Sequence, residues 1–498
     1  MATAGRQARA RASMRGYRRR AAEATGLTRV AEAWNQLPER LQGWIPVAIV
    51  VALGVTYPFY VDSLPTNIPV IQTFPPLHDS VTILVFVMMA VGLNIVVGYA
   101  GLLDLGYVAF YAIGAYTCGW LASGQFQQVK LHVGSVGISH DSRGIHISVW
   151  LVLLIAALVT AVGGILIGLP TLRLRGDYLA IVTLGFGEII PQFVRNGDEL
   201  HGFDLTHGTF GISPIDSPGF GQSLHDAIGL PVQYNESFPP TPDRLFFWTI
   251  LGLLLLTLFC SMRLRDSRLG RAWIAIREDE TAAGAMGIPL MRTKTWAYAG
   301  GAFFGGIAGA YIATFNSGAF PTQFDFNISV FLLCMVILGG MGSLWGVVVA
   351  GTILAWLNFD GLGNIGGWVN DTFSKTSLNL TVLVIFVVLF GIGMLTAETL
   401  LTRGIFAALT AASIAIFGIL RVMGTPIDVP KYSFGIYGGL IVLMMMFRPV
   451  GLIPERRRKR EIEEETHGGP LDEPLYEMRG ADEPGAGERG EPGKVPRG

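Results

Sequence analysis

The chain has 498 residues, of which 51% are hydrophobic and only 15% charged, and its mean hydropathy is +0.48. Soluble domains carry about 25% charged residues, so this composition excludes an ordinary soluble globular protein, and a net charge of −1 offers nucleic acid no counter-charge. The expected fold class is an all-α polytopic membrane protein.

Residues 1–43 form an Arg-rich tail with nine Arg against three Glu. The first apolar run begins only near Trp44, too far from this start for a signal peptide. A spanning helix needs about 20 mostly apolar residues. Candidate segments are 44–61, 80–99, 102–123, 148–169, 178–195, 245–262, 295–315, 328–341, 344–358, 379–397, 404–422 and 434–448. Several are short or interrupted by glycine, so about 10–12 helices are expected, some broken or re-entrant.

Charge sets the orientation. Loop 263–294 holds seven Lys and Arg, whereas loop 196–243 holds none and has seven acids. The positive-inside rule puts the first in the cytoplasm with both termini, and the second outside. Segment 124–147, also outside, is expected to form a hairpin. The transmembrane domain covers 44–453. Residues 454–498 begin with the basic run Arg456–Arg460; from Glu461 eleven acids face four bases among frequent Gly and Pro, the composition of a disordered cytoplasmic tail.

Cys118, Cys260 and Cys334 lie in apolar segments without disulfide or zinc spacing. His201 and His207 share a loop but lack further ligands, so no metal is expected. The pattern Gly-x-x-x-x-Gly-Lys-[Ser/Thr] is missing and no nucleophile–base arrangement emerges. No cofactor is expected on this chain, and no catalytic residue.

Small residues recur at helix-packing spacing in Gly301, Gly305 and Gly309 and again in Gly342-x-x-x-Gly346. This spacing lets helix backbones approach closely in lipid, and it also marks broken helices around a substrate path. Glycines 98, 101 and 106 surround Asp104 in such a break, and Gly339 and Gly340 form another. Gly98, Gly101, Asp104, Gly106, Glu188, Gly339 and Gly340 are therefore candidate path residues. Glu188 is a carboxylate inside an apolar segment. With no relay of acids or histidines beside it, a packed, hydrogen-bonded role is expected for it, which argues against ion-driven transport.

The loop Arg271–Ile288 reads as a small docked helix. Glu278, Asp279 and Glu280 suit a first turn, where the helix dipole favours acids. Ala282, Ala283 and Met286 form a small apolar face, and Gly287 with Pro289 ends it.

Together, Gly92–Tyr116, Leu172–Ile190, Asp266–Ile288, Leu338–Gly346 and Phe447–Gly451 make a specific pattern. The chain resembles the LivM-type permease subunits of bacterial ABC importers for branched-chain amino acids. That resemblance implies an inner-membrane complex with a LivH-like second permease, two ABC ATPase subunits that use the ATP, and a periplasmic solute-binding protein. It implies that Arg277, Glu280, Ala282, Ala283, Met286 and Gly287 belong to the loop that couples to the ATPases. Where the family's outside loop usually reads Leu-Thr-Gly-Gly-Pro-Asn-Gly-Ile, this chain has Leu205-Thr-His-Gly-Thr-Phe-Gly-Ile212, and region 356–433 is expanded. A permease for urea or short amides is the rival within this class, and an ion-coupled secondary transporter the rival outside it.

Overall fold

The computed structural model describes residues 51–61 except 53, 74–136, 141–174, 176–198, 204–221, 226, 232–234, 243–364, 431, 433–447 and 451–453. Segments 379–397 and 404–422, the expanded part beyond 364 up to 430, and both tails lie outside the described residues, as does His201.

The described chain is mainly helical, in the order α1 (Leu77–Asn94), α2 (Tyr107–Leu121), α3 (Val149–Thr171), α4 (Asp177–Arg195), α5 (Asp243–Asp266), α6 (Arg268–Glu278), α7 (Glu280–Ala285), α8 (Leu290–Phe315), α9 (Phe326–Gly339), α10 (Leu344–Trp356) and α11 (Ser433–Phe447). Helix therefore stands at each expected segment from 80–99 to 344–358 and again at 434–448. Among the described residues, five stretches are long and apolar enough to cross a membrane: Leu77–Tyr99, Val149–Thr171, Asp243–Asp266, Pro321–Gly339 and Leu344–Asn364. The described chain is mainly helical, with several helices apolar enough to cross a membrane, the all-α polytopic architecture expected.

α1 is the central element. Its side chains from Val85 to Asn94 are buried on every side, and it packs against α5, α8, α9 and α10. A helix apolar all round belongs in such an interior. α8 lies between α2 and α3 and packs most closely with both. Glycines make this possible. A Cβ at Gly309 would collide with the Tyr111 carbonyl on α2, and one at Gly306 with Thr160 and the Ala156 carbonyl on α3. In lipid no apolar driving force separates leucine from its surroundings, so close backbone approach supplies the packing.

α3 shows the same rule from the outside. Ala156, Ala157, Thr160, Gly164 and Gly168 face inward, whereas Leu151, Leu154, Leu158, Val162, Leu166 and Leu169 are exposed at helical spacing. Small residues pack and large apolar ones meet lipid, the reverse of a soluble helix.

The segment expected to be a hairpin is a small three-stranded sheet instead. β1 (Ala122–Ser123) pairs antiparallel with β3 (Gly144–Ile147), while β2 (Lys130–Val133) pairs with β3 in parallel. β1 directly continues α2 and takes one edge of β3, and β2 takes the other edge in parallel register. His146 Nδ1 on β3 lies 2.8 Å from Asp216 Oδ2, tying the sheet to the loop 204–221. Burial pushes the Asp216 carboxyl above its ordinary range, and the hydrogen bond with His146 opposes that rise.

Gly309→Val is expected to lower the melting temperature of the purified protein, at a cost of about 1–3 kcal/mol from overpacking. Gly252→Ala is the control, because nothing lies within 4 Å of the added methyl, and its melt should match the unmodified protein.

Candidate functional site

The α-helical ladder of α1 fails at its last turn. Ile95–Tyr99 forms a π turn, and residues 101–106 are non-helical before α2 begins at Tyr107. Peptide groups freed in an apolar setting need other partners, and several here are served from α6, from α4 and from the break itself. Arg277 on α6 donates from Nη1 to the Gly98 carbonyl. Leu105 N donates to Thr183 Oγ1 on α4 at 3.1 Å. Gly106 N donates to Asp104 Oδ1 at 2.9 Å, and Leu102 N to the Val96 carbonyl at 3.1 Å.

The second glycine break sits against the first. α9 ends at Gly339, Gly340 and Gly342 turn the chain at positive φ, and Ser343 caps α10 through Gly346 N at 3.2 Å. Gly342 N donates to Asn94 Oδ1 on α1 at 3.0 Å. Leu452 N donates to the Leu338 carbonyl at 3.0 Å, so the end of the membrane domain closes over this turn. A Cβ at Gly98 would collide with Asn94 Oδ1 and Gly342 N, which is why the π turn carries glycine there. Asn94 Nδ2 and Asp104 Oδ2 are buried without a hydrogen-bond partner among the described residues. The two breaks therefore leave polar groups inside an apolar bundle.

The loop 263–294 is a pair of short helices at right places to touch these breaks, and its break point differs from expectation. Ser267 caps α6 through Gly270 N at 3.2 Å. Glu278 ends α6 and does not enter the next first turn. Asp279, in extended backbone, caps α7 by accepting from Thr281 N at 2.8 Å and Ala282 N at 3.0 Å. Only Glu280 lies in the first turn of α7. Gly287 at φ 85° ends the element, and Ile288 N donates back to the Ala283 carbonyl at 3.1 Å.

Ala282, Ala283 and Met286 do not share one outward face. Ala283 is 4% exposed and points into the protein, whereas Met286 is 84% exposed. Thr281, Ala282 and Ala285 are exposed beside it, as is Gly287. Glu280 turns inward and meets Lys294 Nζ on α8 at 2.8 Å, with Lys294 3% exposed. Trp273, fully buried, donates from Nε1 to the Thr293 carbonyl at 2.8 Å. α6 and α7 are thus clamped to the start of α8 by Trp273 and Glu280, and to the break after α1 by Arg277.

The structure brings Gly98, Gly101, Asp104 and Gly106 together with Gly339 and Gly340 around the two breaks. Gly101, at φ 68°, lies against Arg277: an added Cβ would stand 2.8 Å from Arg277 Cγ. Glu188 is elsewhere. The packed face of α4 is Thr183 and Gly187, against Leu105 and Gly106, and Glu188 follows on the open side of the helix. The packed role expected for Glu188 is not what the structure shows, because Gly187 takes the inward position one residue earlier. Asn94, Thr183, Trp273 and Lys294 were not singled out in the sequence. Asn94 and Lys294 did carry a signal, as polar residues inside or bordering apolar runs.

The sequence profile of the family described as branched-chain amino acid transport system, permease component, matches residues 80–393. The chain belongs to this family. It is 40% identical over 286 residues to the high-affinity branched-chain amino acid transport system permease protein LivM of Salmonella typhimurium, covering 54% of this chain and 60% of that protein. It is 38% identical over 323 residues to the LivM protein of Escherichia coli, covering 62% of this chain and 66% of that protein. The chain thus spans less than two thirds of the length of these two curated relatives. The LivH permease protein of Escherichia coli matches at 29% identity over 127 residues, 26% of this chain and 40% of that protein. No solved structure matches. The matched region of this permease-family chain contains both helix breaks, α4 and the whole α6–α7 pair.

Lys294→Met removes the counter-charge of Glu280. The loss should be about 2 kcal/mol, below the ~3–5 kcal/mol of a fully buried pair because Glu280 keeps 29% exposure. Limited trypsin digestion should then cut at Arg271 or Arg277 at least several-fold faster than in the unmodified protein; an unchanged rate would show that the pair does not hold the loop.

Proposed function

We propose that this chain is the membrane-spanning permease subunit of an ATP-driven ABC importer. It passes branched-chain amino acids, delivered by a periplasmic binding protein, across the bacterial inner membrane. The substrate class is supported by the family and by the names its relatives carry. The observation that carries the coupling is the α6–α7 pair. It has an exposed Met286 at its end and is anchored to the break after α1 by Arg277, in the last turn of α6.

Two ATPase subunits are the partners on the α7 side, and the ATP is theirs. Met286, with Ala282 and Ala285 beside it, is an apolar knob on a short capped helix, which suits insertion into a groove. A displacement of α7 by closing ATPases is passed to α8 through Glu280–Lys294 and Trp273–Thr293, and to the π turn through Arg277–Gly98. The breaks at Gly98–Gly106 and Gly339–Gly342 are the places where the bundle yields, because their peptide groups depend on side chains and not on a continuous helical ladder. That motion alternates access between the two sides of the membrane. The second permease is a LivH-like chain, supported by the partial likeness to LivH. The outside loops 124–147 and 196–243 receive the binding protein, and both termini are cytoplasmic by the charge rule.

In proteoliposomes holding this chain with its neighbouring permease, ATPases and binding protein, labelled leucine should enter only with ATP and binding protein, and valine should compete. Competition by urea alone would change the substrate, and uptake indifferent to ATP would refute the importer. Met286→Glu should reduce uptake about ten-fold or more, as expected when an apolar anchor in a docking interface becomes charged, while thermal stability stays unchanged because the side chain touches nothing in this chain's core.

A further inference from the structure

α4 differs from its neighbours in where its polarity lies. Leu179, Thr183, Gly187, Pro191 and Val194 form its packed side, while Tyr178, Ile181 and Leu184 are exposed along the first half. In the second half, Glu188, Gln192 and Asn196 follow one another at four-residue intervals and are all exposed. Residues at this spacing stand above one another on a single helix face. Ile189 and Phe193, both exposed, flank the stripe, and these five residues line an open groove of about 520 Å³.

Glu188 is eleven residues from Asp177, the first residue of α4. At 1.5 Å per residue that is about 16 Å along the helix, past the middle of this 19-residue element. An exposed carboxylate in an apolar run is costly against lipid, and such residues face water-filled paths or partners. Glu188 makes no hydrogen bond or ion pair with any described residue of this chain. Pro191 has no N–H to offer the Gly187 carbonyl one turn back, which adds polar backbone to the same stretch.

We propose that this groove is a binding subsite for an α-amino acid with a branched aliphatic side chain, in transit through the membrane. Glu188 takes the α-ammonium group. The side-chain amide N–H groups of Gln192, one turn further, take the carboxylate, with Asn196 beyond it. Ile189 and Phe193 carry the aliphatic side chain. The five residues thus offer the three chemistries that such a zwitterion presents, in an order that one helical turn separates. The groove is open on one side, so the second permease subunit supplies the facing wall. On its other side α4 contacts the break at Leu105–Gly106 through Thr183 and Gly187, so a shift of that break moves the subsite. This inference rests on the importer reading above.

The test uses the full complex in proteoliposomes. Glu188→Gln keeps the shape and removes the charge; Gln192→Ala removes the amide. Each should lower leucine uptake about ten-fold or more, the scale of a lost hydrogen bond to a charged group, with the subunits still co-purifying. Glu188→Asp should retain more uptake than Glu188→Gln. In addition, Ile189→Cys, in a background with Cys118, Cys260 and Cys334 replaced, should react with a thiol reagent and be protected by leucine but not by N-acetyl-leucine, which has no ammonium. Full uptake by both Glu188→Gln and Gln192→Ala, or equal protection by the two compounds, overturns the subsite while leaving the importer intact. Absence of ATP-dependent leucine uptake by the unmodified complex overturns the importer, and the subsite with it.

Discussion

Backbone polar groups inside a membrane must be paired within the protein, and the break between α1 and α2 is where this requirement is hardest to meet. Gly98, Leu105 and Gly106 have peptide groups that no helical ladder serves. Their partners come from α6, from α4 and from the break's own Asp104. The neighbouring turn at Gly340–Gly342 is held by Asn94 in the same way. The unwound stretch and the last residue of α1 therefore fix where α4 and α6, and α9 and α10, stand relative to α1. The glycines of α8 perform the complementary task, drawing α2 and α3 close enough that the break is enclosed.

This arrangement explains why the short loop helices lie against the bundle and do not hang free below it. Arg277 serves a carbonyl that would otherwise be unpaired, so the loop cannot move without changing the pairing of the break. Glu280 and Lys294 add a second attachment, with one charge almost wholly enclosed. The face that remains outward on α7 is small and apolar, and it ends in Met286. A helix pair bound inward by charge and hydrogen bonds, with one flexible apolar side chain exposed outward, is suited to pass on displacement rather than to bind tightly by itself.

Much of the bundle was legible in the sequence because membrane helices announce themselves by length and apolarity, and because glycine marks both breaks. Gly98–Gly106 and Gly339–Gly342 are broken where their glycines cluster. The loop helix was legible through its acids and through Gly287, but its phase was not. A helix as short as Glu280–Ala285 does not hold enough turns for periodicity to say which alanine points inward, and Asp279 serves as a cap where its charge alone suggested a first-turn position. Lys294 was hidden because a lysine beside a cytoplasmic loop ordinarily signals topology, not a buried partner. The packed position goes to Gly187 rather than Glu188, where Leu105 and Gly106 approach so closely that an added Cβ would stand 3.2 Å from the Gly106 Cα and the Leu105 carbonyl oxygen. The sequence shows a carboxylate in an apolar run but not which way the helix is turned. The parallel pairing of β2 with β3 joins two segments apart in the chain, which no local pattern reveals.

The claim on which the account turns is that the loop drives the break through Arg277. The measurement is the number of leucine molecules imported per ATP hydrolysed by the reconstituted complex, compared between the unmodified chain and Arg277→Met. The account predicts that this ratio falls severalfold or more, because the substituted side chain keeps much of its length but can no longer donate to the Gly98 carbonyl. An unchanged ratio would contradict it.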